Sequence, residues 1–157
     1  MGKVTKIILC VFACLLVGLI GSLSTASAIP TWYQTLVKPA FNPPNWLFGP
    51  AWTLLYILMG ISAALVWDKM GEKKEVPAGL IIFSVQLLLN CFWSIIFFGY
   101  HSPFYAFIEI IFLWLVIWAT ILYFWRISKT AAILLTPYIC WVSFAMILNF
   151  SIYRLNP

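Results

Sequence analysis

Charged side chains are scarce in this sequence. Asp, Glu, Lys and Arg make up 8% of the 157 residues, whereas hydrophobic residues make up 64%. A soluble domain carries about 25% charged residues, so this chain has too little polar surface to stay dissolved in water. The composition therefore predicts an integral membrane protein, and the length predicts a single domain spanning residues 1–157. The net charge of +5 is not clustered, which argues against a nucleic-acid partner and for contact with the lipid bilayer.

Groups that serve conventional catalysis are also few. His101 is the only histidine, which excludes a Ser–His pair within the chain and any metal site built on several histidines. No glycine-rich phosphate loop is present. The four cysteines lie inside apolar runs, where cysteine is usually a small buried residue, so we predict no disulfide, no metal and no obligatory cofactor. The remaining chemistry would use aromatic side chains and a light- or redox-active ligand, with Trp52 and Trp141 as the candidate reactive residues.

Alternation of polar and apolar residues at period two, which a membrane barrel needs, is missing as well. Instead, five apolar runs lie at about 5–28, 46–67, 78–98, 103–125 and 129–153, each near the roughly 20 residues that a spanning helix needs. Backbone groups in lipid must be hydrogen-bonded within the protein, which helices achieve. We therefore predict an all-α membrane protein, a bundle of five transmembrane helices.

The first run has some features of a secretory signal. Lys3 and Lys6 precede it, and residues 26–28 read Ala-Ser-Ala, which resembles a cleavage site. Its apolar core from Ile7 to Leu23 is 17 residues long, beyond the about 7–15 typical of such signals, so we expect a retained helix. Small residues recur in it at every fourth position, which favours close approach of another helix and offers a contact for a homodimer; they are Gly18, Ser22 and Ala26.

The basic residues predict how the helices are oriented. With five spans, the N-terminus and the 68–77 and 126–128 loops share one side, which carries seven lysines and arginines; the other side carries two, Lys38 and Arg154. By the positive-inside rule, the N-terminus is cytoplasmic and the C-terminus lies outside the cell membrane.

The loop at 29–45 is rich in proline and aromatic residues, and we call it the lid loop. Proline fixes φ and removes a backbone donor, so this loop is stiff and is not a strand. Exposed aromatics at a membrane surface usually cover something, and we expect them to cover a ligand. The residues of interest in the loop are Trp32, Lys38, Pro39, Phe41, Pro43 and Pro44.

Polar residues inside the spans concentrate beneath this loop. Counted from the loop-side ends at about 1.5 Å per residue, the side chains of Trp52, Asn90, Trp93, Glu109 and Asn149 fall within roughly 12 Å of that surface. Such groups are costly in lipid, which predicts a pocket there. The alternative, hydrogen bonding from helix to helix, stays open for Asn90 and is favoured for Glu109.

The fifth run carries a stripe of residues at helical spacing: Pro137, Trp141, Ala145, Leu148 and Ile152. Pro137 should bend this helix because it frees the carbonyl of Ile133. Ala145 leaves space one turn beyond Trp141, so a flat ligand could lie on this face. Ordinary helix packing explains the stripe equally well.

These residues resemble the TspO/translocator protein family, also called tryptophan-rich sensory proteins or peripheral benzodiazepine receptors. The resemblance covers nearly the whole chain and is strongest in three stretches: Trp32-Tyr33, Leu36, Lys38-Pro39, Phe41, Pro43-Pro44, Pro50, Trp52, Tyr56 and Gly60; then Gln86, Asn90, Trp93-Ser94 and Phe97-Phe98-Gly99; then Pro137-Tyr138, Trp141, Phe144-Ala145 and Leu148-Asn149.

The resemblance implies a five-helix bundle, usually a homodimer, with a pocket under the first loop. It implies a tetrapyrrole ligand, protoporphyrin IX or a haem-type relative, and binding of synthetic isoquinoline carboxamides or benzodiazepines. A flat tetrapyrrole would stack against Trp52 and Trp141, with its carboxylates near Lys38. At the matching positions, the ligand-binding residues would be Tyr33, Trp52, Tyr56, Asn90, Trp93, Trp141, Phe144, Ala145 and Leu148.

One motif departs from the pattern of some relatives. Their sterol consensus needs a spacer between its Tyr and its Lys or Arg, whereas Tyr153 and Arg154 are adjacent here. Three functions follow, in order of preference. The first is a tetrapyrrole receptor or transporter for porphyrin sensing, transport or stress response, and the second is a light-dependent, porphyrin-degrading activity that uses pocket tryptophans. The third is a sterol- or lipid-binding or regulatory membrane protein.

Overall fold

The computed structural model describes residues 2–157 as a bundle of helices, which confirms the all-α prediction. Five helical units are long and apolar enough to cross a membrane: Lys3–Ala28, Asn45–Trp67, Val76–Gly99, Pro103–Ile127 and Lys129–Leu155. Their helices, with a short one in the lid loop, are α1 (Lys3–Ala28), α2 (Trp32–Thr35), α3 (Phe48–Trp67), α4 (Val76–Ser94), α5 (Pro103–Ile127), α6 (Lys129–Leu134) and α7 (Thr136–Leu155). A 3₁₀ turn, Asn45–Leu47, leads into α3, and a π-helical turn, Ile95–Gly99, extends α4.

The last span is interrupted where Pro137 predicts a bend. α6 ends at Leu134, and α7 begins at Thr136, with Pro137 in its first turn. Because proline has no N–H, the chain cannot continue the α-helical bond to the carbonyl of Ile133. The interruption turns α7 so that Tyr138 and Val142 are fully buried against the rest of the bundle.

Two glycines bring α1 against α3. A Cβ on Gly60 would collide with the backbone of Val11, and one on Gly18 would collide with the ring of Tyr56. The close approach that we predicted for Gly18 therefore takes place within the chain, and this glycine does not supply a free dimer face. The homodimer itself stays a prediction.

α1 also packs against α4 near the lid loop. A Cβ on Gly21 would lie 3.4 Å from the Cβ of Ser94, and one on Gly99 would lie 3.2 Å from the Oγ of Ser24. α1 thus contacts α3 at Val11 and Gly18, and the end of α4 at Gly21 and Ser24. Past Gly18, residues of both α1 and α3 line the larger cavity described below.

The end of the bundle that carries the lid loop is called the lid end. At the opposite end, Lys6 Nζ lies 2.8 Å from a carboxylate oxygen of Asp68 and ties α1 to the end of α3. The hydrogen bond from Lys6, helped by nearby positive charge, lowers the pKa of Asp68 below its ordinary value of 3.8. Lys73 Nζ donates to the carbonyls of Arg126 and Ile127 at 2.7 and 3.0 Å, which joins the two loops of that end.

Candidate ligand site

Trp52 lies at the centre of an aromatic cluster in the half of the bundle nearest the lid end. Its ring centroid is 5.8 Å from that of Tyr56, 6.5 Å from Trp93, 6.4 Å from Tyr138 and 6.4 Å from Trp141. These four rings come from α3, α4 and α7. The large aromatics of these three helices therefore surround a single side chain, Trp52, and each of the three contributes at least one flat ring.

A narrow cavity of about 20 Å³ lies on one side of Trp52, under the lid loop. Most of the predicted ligand-binding residues line it: Tyr33, Trp52, Trp93, Trp141, Phe144, Ala145 and Leu148. This volume suffices for about one water molecule. Trp52 and Trp141 contact each other edge to face, so the predicted stacking of one ligand between both indoles does not fit this conformation.

A wide cavity of about 440 Å³ lies on the other side of Trp52. It is bounded by α1 and α3, with the end of α4 as its floor. Four side chains, Phe48, Trp52, Trp93 and Phe98, line both cavities and form the aromatic wall between them. Ligand sites usually measure about 300–1,000 Å³, so the wide cavity has the size of a small-molecule site and the narrow one does not.

The contribution of α1 to the wide cavity was missed from the sequence. Gly18, Ser22, Thr25 and Ala26 line it, together with Leu15, Leu19 and Ile29. The sequence alone indicates only a packing face for the small residues Gly18, Ser22 and Ala26. Their spacing does mark the face that approaches α3, but the space beyond Gly18 depends on how two helices diverge, which spacing alone does not show.

Asn90 joins three helices. Tyr56 on α3 donates a hydrogen bond to its Oδ1, and its Nδ2 donates to the hydroxyl of Tyr138 on α7 at 3.1 Å. Asn90 is buried and does not line either cavity, although we had counted it among the ligand-binding residues. Between the two interpretations left open by the sequence, the structure favours the helix-to-helix bond.

Asn149 has a similar role nearer the lid end. Its Oδ1 accepts a hydrogen bond from Trp93 Nε1 at 3.1 Å, and its Nδ2 donates to the carbonyl of Pro103 at 2.7 Å. This pair of bonds connects α7 with α4 and with the first residue of α5. Because Trp93 belongs to the aromatic wall, Asn149 fixes the orientation of that part of the wall.

Glu109 does not make the helix-to-helix bond that we predicted for it. Among residues 2–157, neither of its carboxylate oxygens has a hydrogen-bond partner, and the same holds for the side-chain amide of Gln86. Both residues lie outside the two cavities. Asn90 and Asn149 are therefore hydrogen-bonded beside the aromatic wall, whereas Gln86 and Glu109 are unpaired and line neither cavity.

The lid loop is attached to several different elements. Trp32 stacks on His101, in the loop between α4 and α5, with ring centroids 4.5 Å apart and planes at 11°. The N–H of Val37 donates to Oδ1 of Asn156, and Nδ2 of Asn156 donates to the carbonyl of Val37, both at 2.9 Å. Phe41 contacts Phe144 of α7, with ring centroids 6.3 Å apart.

Tyr33 is the buried anchor of the lid loop. It is 1% exposed and packs against Phe48, Phe97 and Phe98. Burial raises the pKa of Tyr33 to about 12, so its hydroxyl stays protonated and donates to Oδ1 of Asn42 at 2.6 Å. The ammonium group of Lys38, the one basic residue of the lid loop, lies 4.9 Å from the centre of the Tyr33 ring.

The prolines of the lid loop shape its return to α3. The carbonyl of Pro39 accepts from the N–H of Asn42 at 3.0 Å, and that of Pro44 accepts from Leu47 at 3.0 Å as the 3₁₀ turn begins. The carbonyl of Pro43 accepts from the side chain of Asn42 at 3.0 Å. The loop that the prolines predict to be stiff thus contains short hydrogen-bonded turns and enters α3 through the 3₁₀ turn.

The model of the TspO/MBR family matches residues 10–154. The chain belongs to the TspO/MBR family. It is 48% identical over 155 residues to the tryptophan-rich protein TspO of Chlorobaculum tepidum, covering 99% of this chain and 98% of the relative. It is 45% identical over 155 residues to the protein of the same name from Archaeoglobus fulgidus, covering 98% and 99%. The human translocator protein is 39% identical over 128 residues, covering 80% of this chain and 75% of that protein.

Membership in the TspO/MBR family confirms the resemblance drawn from the three motif stretches. The structure brings these stretches together at one place. The first supplies the lid loop and Trp52, the second supplies Trp93 and Phe98, and the third supplies Trp141. Three of the four residues of the aromatic wall, Trp52, Trp93 and Phe98, therefore belong to the motif stretches that carry the resemblance.

Proposed function

We propose that this TspO/MBR chain is a membrane receptor or carrier that binds a tetrapyrrole, protoporphyrin IX or a haem-type relative, in the wide cavity. The observation that carries the proposal is the aromatic wall. Phe48, Trp52, Trp93 and Phe98 present flat rings to a cavity of about 440 Å³. Aromatic faces stack favourably on a flat conjugated ligand.

The lining of the cavity fits the body of such a ligand and also restricts its orientation. The side chains that line the cavity are uncharged, and the polar ones besides the two indoles carry hydroxyls or one amide: Ser22, Thr25, Asn45, Thr53, Tyr56 and Ser94. A buried carboxylate without a partner costs several kcal/mol. We therefore expect the ring to lie inside, with its two carboxylates towards the lid end, where Asn45 lines the cavity and Lys38 is the basic residue of the lid loop.

A sensing role agrees with the name of one relative. The protein of Cereibacter sphaeroides called tryptophan-rich sensory protein is 37% identical over 125 residues of this chain. A sensor needs a change in structure when its ligand binds. Tyr33 of the lid loop packs against Phe48 of the aromatic wall, with ring centroids 6.3 Å apart. A bound ligand that displaces Phe48 would therefore also shift Tyr33 and, with it, the lid loop.

The direct test is an absorbance titration in the dark. Purified protein in detergent is titrated with protoporphyrin IX, and empty micelles of the same detergent serve as the control. We expect a saturable shift of the main porphyrin band, quenching of tryptophan fluorescence, and competition by an isoquinoline carboxamide. A shift that grows linearly and equals that in micelles would overturn the proposal.

A second candidate is light-dependent degradation of the bound porphyrin. The observation that favours it is the position of Trp52, which touches the cavity and lies 5.8–6.5 Å from four other aromatic rings. An indole there could react with the excited ligand or with the oxygen species that it generates. Bleaching of bound porphyrin under light, faster than in empty micelles and dependent on dissolved oxygen, would support this activity; equal rates would contradict it.

We further propose that the lid end faces away from the cytoplasm of a cell membrane, as the seven-to-two distribution of basic residues predicts. Single cysteines are placed at Glu72 and Gln34 in a background without the four native cysteines. Gln34 is exposed in the lid loop and Glu72 is exposed at the opposite end. A membrane-impermeant thiol reagent should label the Gln34→Cys variant in intact cells and spare Glu72→Cys. The reverse labelling would overturn the orientation.

A further inference from the structure

The lid loop is closed over the aromatic cluster by contacts to both sides of the bundle. Asn156 holds the backbone of Val37 through two hydrogen bonds, and His101 stacks on Trp32. Tyr33 fills the space beneath the loop and is 1% exposed. A ligand that passed under the loop would have to break these contacts and displace Tyr33.

The wide cavity has another opening, at the side of the bundle between α1 and α3. Leu19, Ser22 and Ala26 on α1 and Gly49 and Thr53 on α3 line the cavity, and all five are exposed. We call this opening the side mouth. It exists because the two helices are in contact at Gly60 and Gly18 and diverge beyond them.

The side mouth lies within the membrane-spanning part of the chain. Leu19 precedes the end of α1 at Ala28 by nine residues, which is about 14 Å along a helix. An opening from that depth to the end of a span faces lipid chains and the interface above them, because the hydrocarbon core is about 30 Å thick. Its rim of Leu, Ala, Gly, Ser and Thr is uncharged, so an apolar molecule dissolved in the bilayer meets no charged side chain there.

We propose that the ligand exchanges sideways between the bilayer and the wide cavity, through the side mouth, while the lid loop stays closed. This proposal rests on the binding proposed above and adds the route. A flat apolar ring partitions into the bilayer, and the side mouth admits it edge first between two helices. Asn156 then acts as a positioning residue that keeps the lid loop shut. Removing its side chain should leave the rates of ligand exchange unchanged.

The test measures rates of porphyrin exchange in lipid nanodiscs. Binding and release of protoporphyrin IX are followed in the dark by quenching of tryptophan fluorescence in a stopped-flow instrument. Ala26→Trp and Thr53→Trp narrow the side mouth from its two sides. Ser27→Trp adds the same bulk to an exposed position of α1 outside the cavity lining and is the control. Asn156→Ala removes the two hydrogen bonds that hold the lid loop at Val37.

We expect Ala26→Trp and Thr53→Trp to slow both binding and release about tenfold, with a smaller change in the dissociation constant. Ser27→Trp and Asn156→Ala should stay within about twofold of the wild-type rates. Faster binding and release in Asn156→Ala, together with wild-type rates in both side-mouth variants, would place the route under the lid loop and overturn the proposal. Absence of saturable binding in the wild-type protein is a different result, and it would overturn the proposed function and the route together.

Discussion

Trp52 and Trp141 contact each other edge to face, with ring centroids 6.4 Å apart and ring planes at 86°. A flat ligand needs two parallel faces to stack between, and these two indoles leave a cavity of only about 20 Å³ beside them. The other side of Trp52 faces about 440 Å³. The two tryptophans therefore have different positions: Trp52 belongs to the wall of the wide cavity, and Trp141 packs against Trp52 on the side of the narrow cavity.

This difference predicts unequal effects of Trp→Phe substitutions. Phenylalanine keeps an aromatic face and loses part of the stacking contact, which is worth about 0.5–1.5 kcal/mol, so Trp52→Phe should weaken dark binding of protoporphyrin by at most about tenfold. Trp141→Phe should change it by about twofold or less. Trp125, half exposed at the opposite end, supplies the control substitution Trp125→Phe. Equal losses in the Trp52 and Trp141 variants would contradict the assignment.

The same variants separate binding from photochemistry. If the indole of Trp52 reacts with excited porphyrin, Trp52→Phe should reduce bleaching at saturating ligand far more than it reduces affinity. Bleaching is measured under light on the samples whose dark affinities are known. If bleaching in every variant is simply proportional to the fraction of protein that holds porphyrin, the indole of Trp52 does not react. The protein would then be a receptor or carrier only.

Replacement of Asn90 should affect stability more than ligand binding. Asn90 bonds to the hydroxyls of Tyr56 and Tyr138 and lies outside both cavities. Hydrogen bonds between membrane helices are worth about 1–2 kcal/mol in model systems, so Asn90→Ala should lower the free energy of unfolding by that amount. Unfolding in mixed detergent micelles and the dark titration provide the two readouts. A large loss of affinity for protoporphyrin, with an unchanged free energy of unfolding, would show that Asn90 contacts the ligand.

The sequence predicted the architecture because membrane insertion imposes it. Five apolar runs of sufficient length, with few charged residues, must become helices in lipid, and Pro137 should disturb the last one; both features are observed. The split of that run into α6 and α7 at Leu135 was predicted only as a bend. Proline removes one bond, but whether the chain bends or breaks there depends on the packing of Tyr138 and Val142, which a single sequence does not specify.

Gly60 should tolerate no side chain, whereas Gly49 should tolerate one. A Cβ on Gly60 would meet the backbone of Val11, which cannot move by changing rotamer, whereas nothing lies within 4 Å of a Cβ on Gly49. Overpacking costs about 1–3 kcal/mol, so Gly60→Ala should lower the free energy of unfolding by about that much. Gly49→Ala, in the first turn of α3, should leave it unchanged or raise it slightly. Similar stability of the two variants would contradict the close contact of α1 with α3.

The ion pair between Lys6 and Asp68 should stabilise the bundle in a pH-dependent way. The folded-state pKa of Asp68 is lowered below 3.8, chiefly by the hydrogen bond from Lys6. A lowered pKa means that the stabilisation is present above about pH 4 and is lost as the pH falls through the lowered value. Asp68→Asn should therefore have a slightly lower melting temperature than the wild type at pH 6, and the difference should vanish near pH 2–3.

The more exposed pair of Lys69 and Glu72, 3.0 Å apart, supplies the control. Its charges are solvated, so Glu72→Gln should melt at the wild-type temperature at pH 6. A difference between Asp68→Asn and wild type that persists below pH 3 would show that the carboxylate charge is not what stabilises this end.

The candidate site was predictable in part. Trp52, Trp93, Tyr33 and Trp141 converge as the sequence predicts, because large aromatics and polar side chains share one half of the spans. Three features escaped prediction: the cavity beside α1, the paired bonds between Asn156 and Val37, and the direct contact of Trp52 with Trp141. Each depends on the distance and angle between separate helices, and the residues involved, such as Ser22 and Asn156, carry no distinctive signal of their own.

If the wide cavity beside Trp52 holds a tetrapyrrole, a large side chain on α1 that fills this cavity should prevent binding. Ser22 lines it, whereas Ser27 lies outside its lining; both serines are exposed, and both hydroxyls bond to backbone carbonyls of α1. The measurement is the dark dissociation constant of protoporphyrin IX for wild type, Ser22→Phe and Ser27→Phe. We expect at least tenfold weaker binding for Ser22→Phe and a wild-type value for Ser27→Phe. Wild-type binding by Ser22→Phe would contradict it.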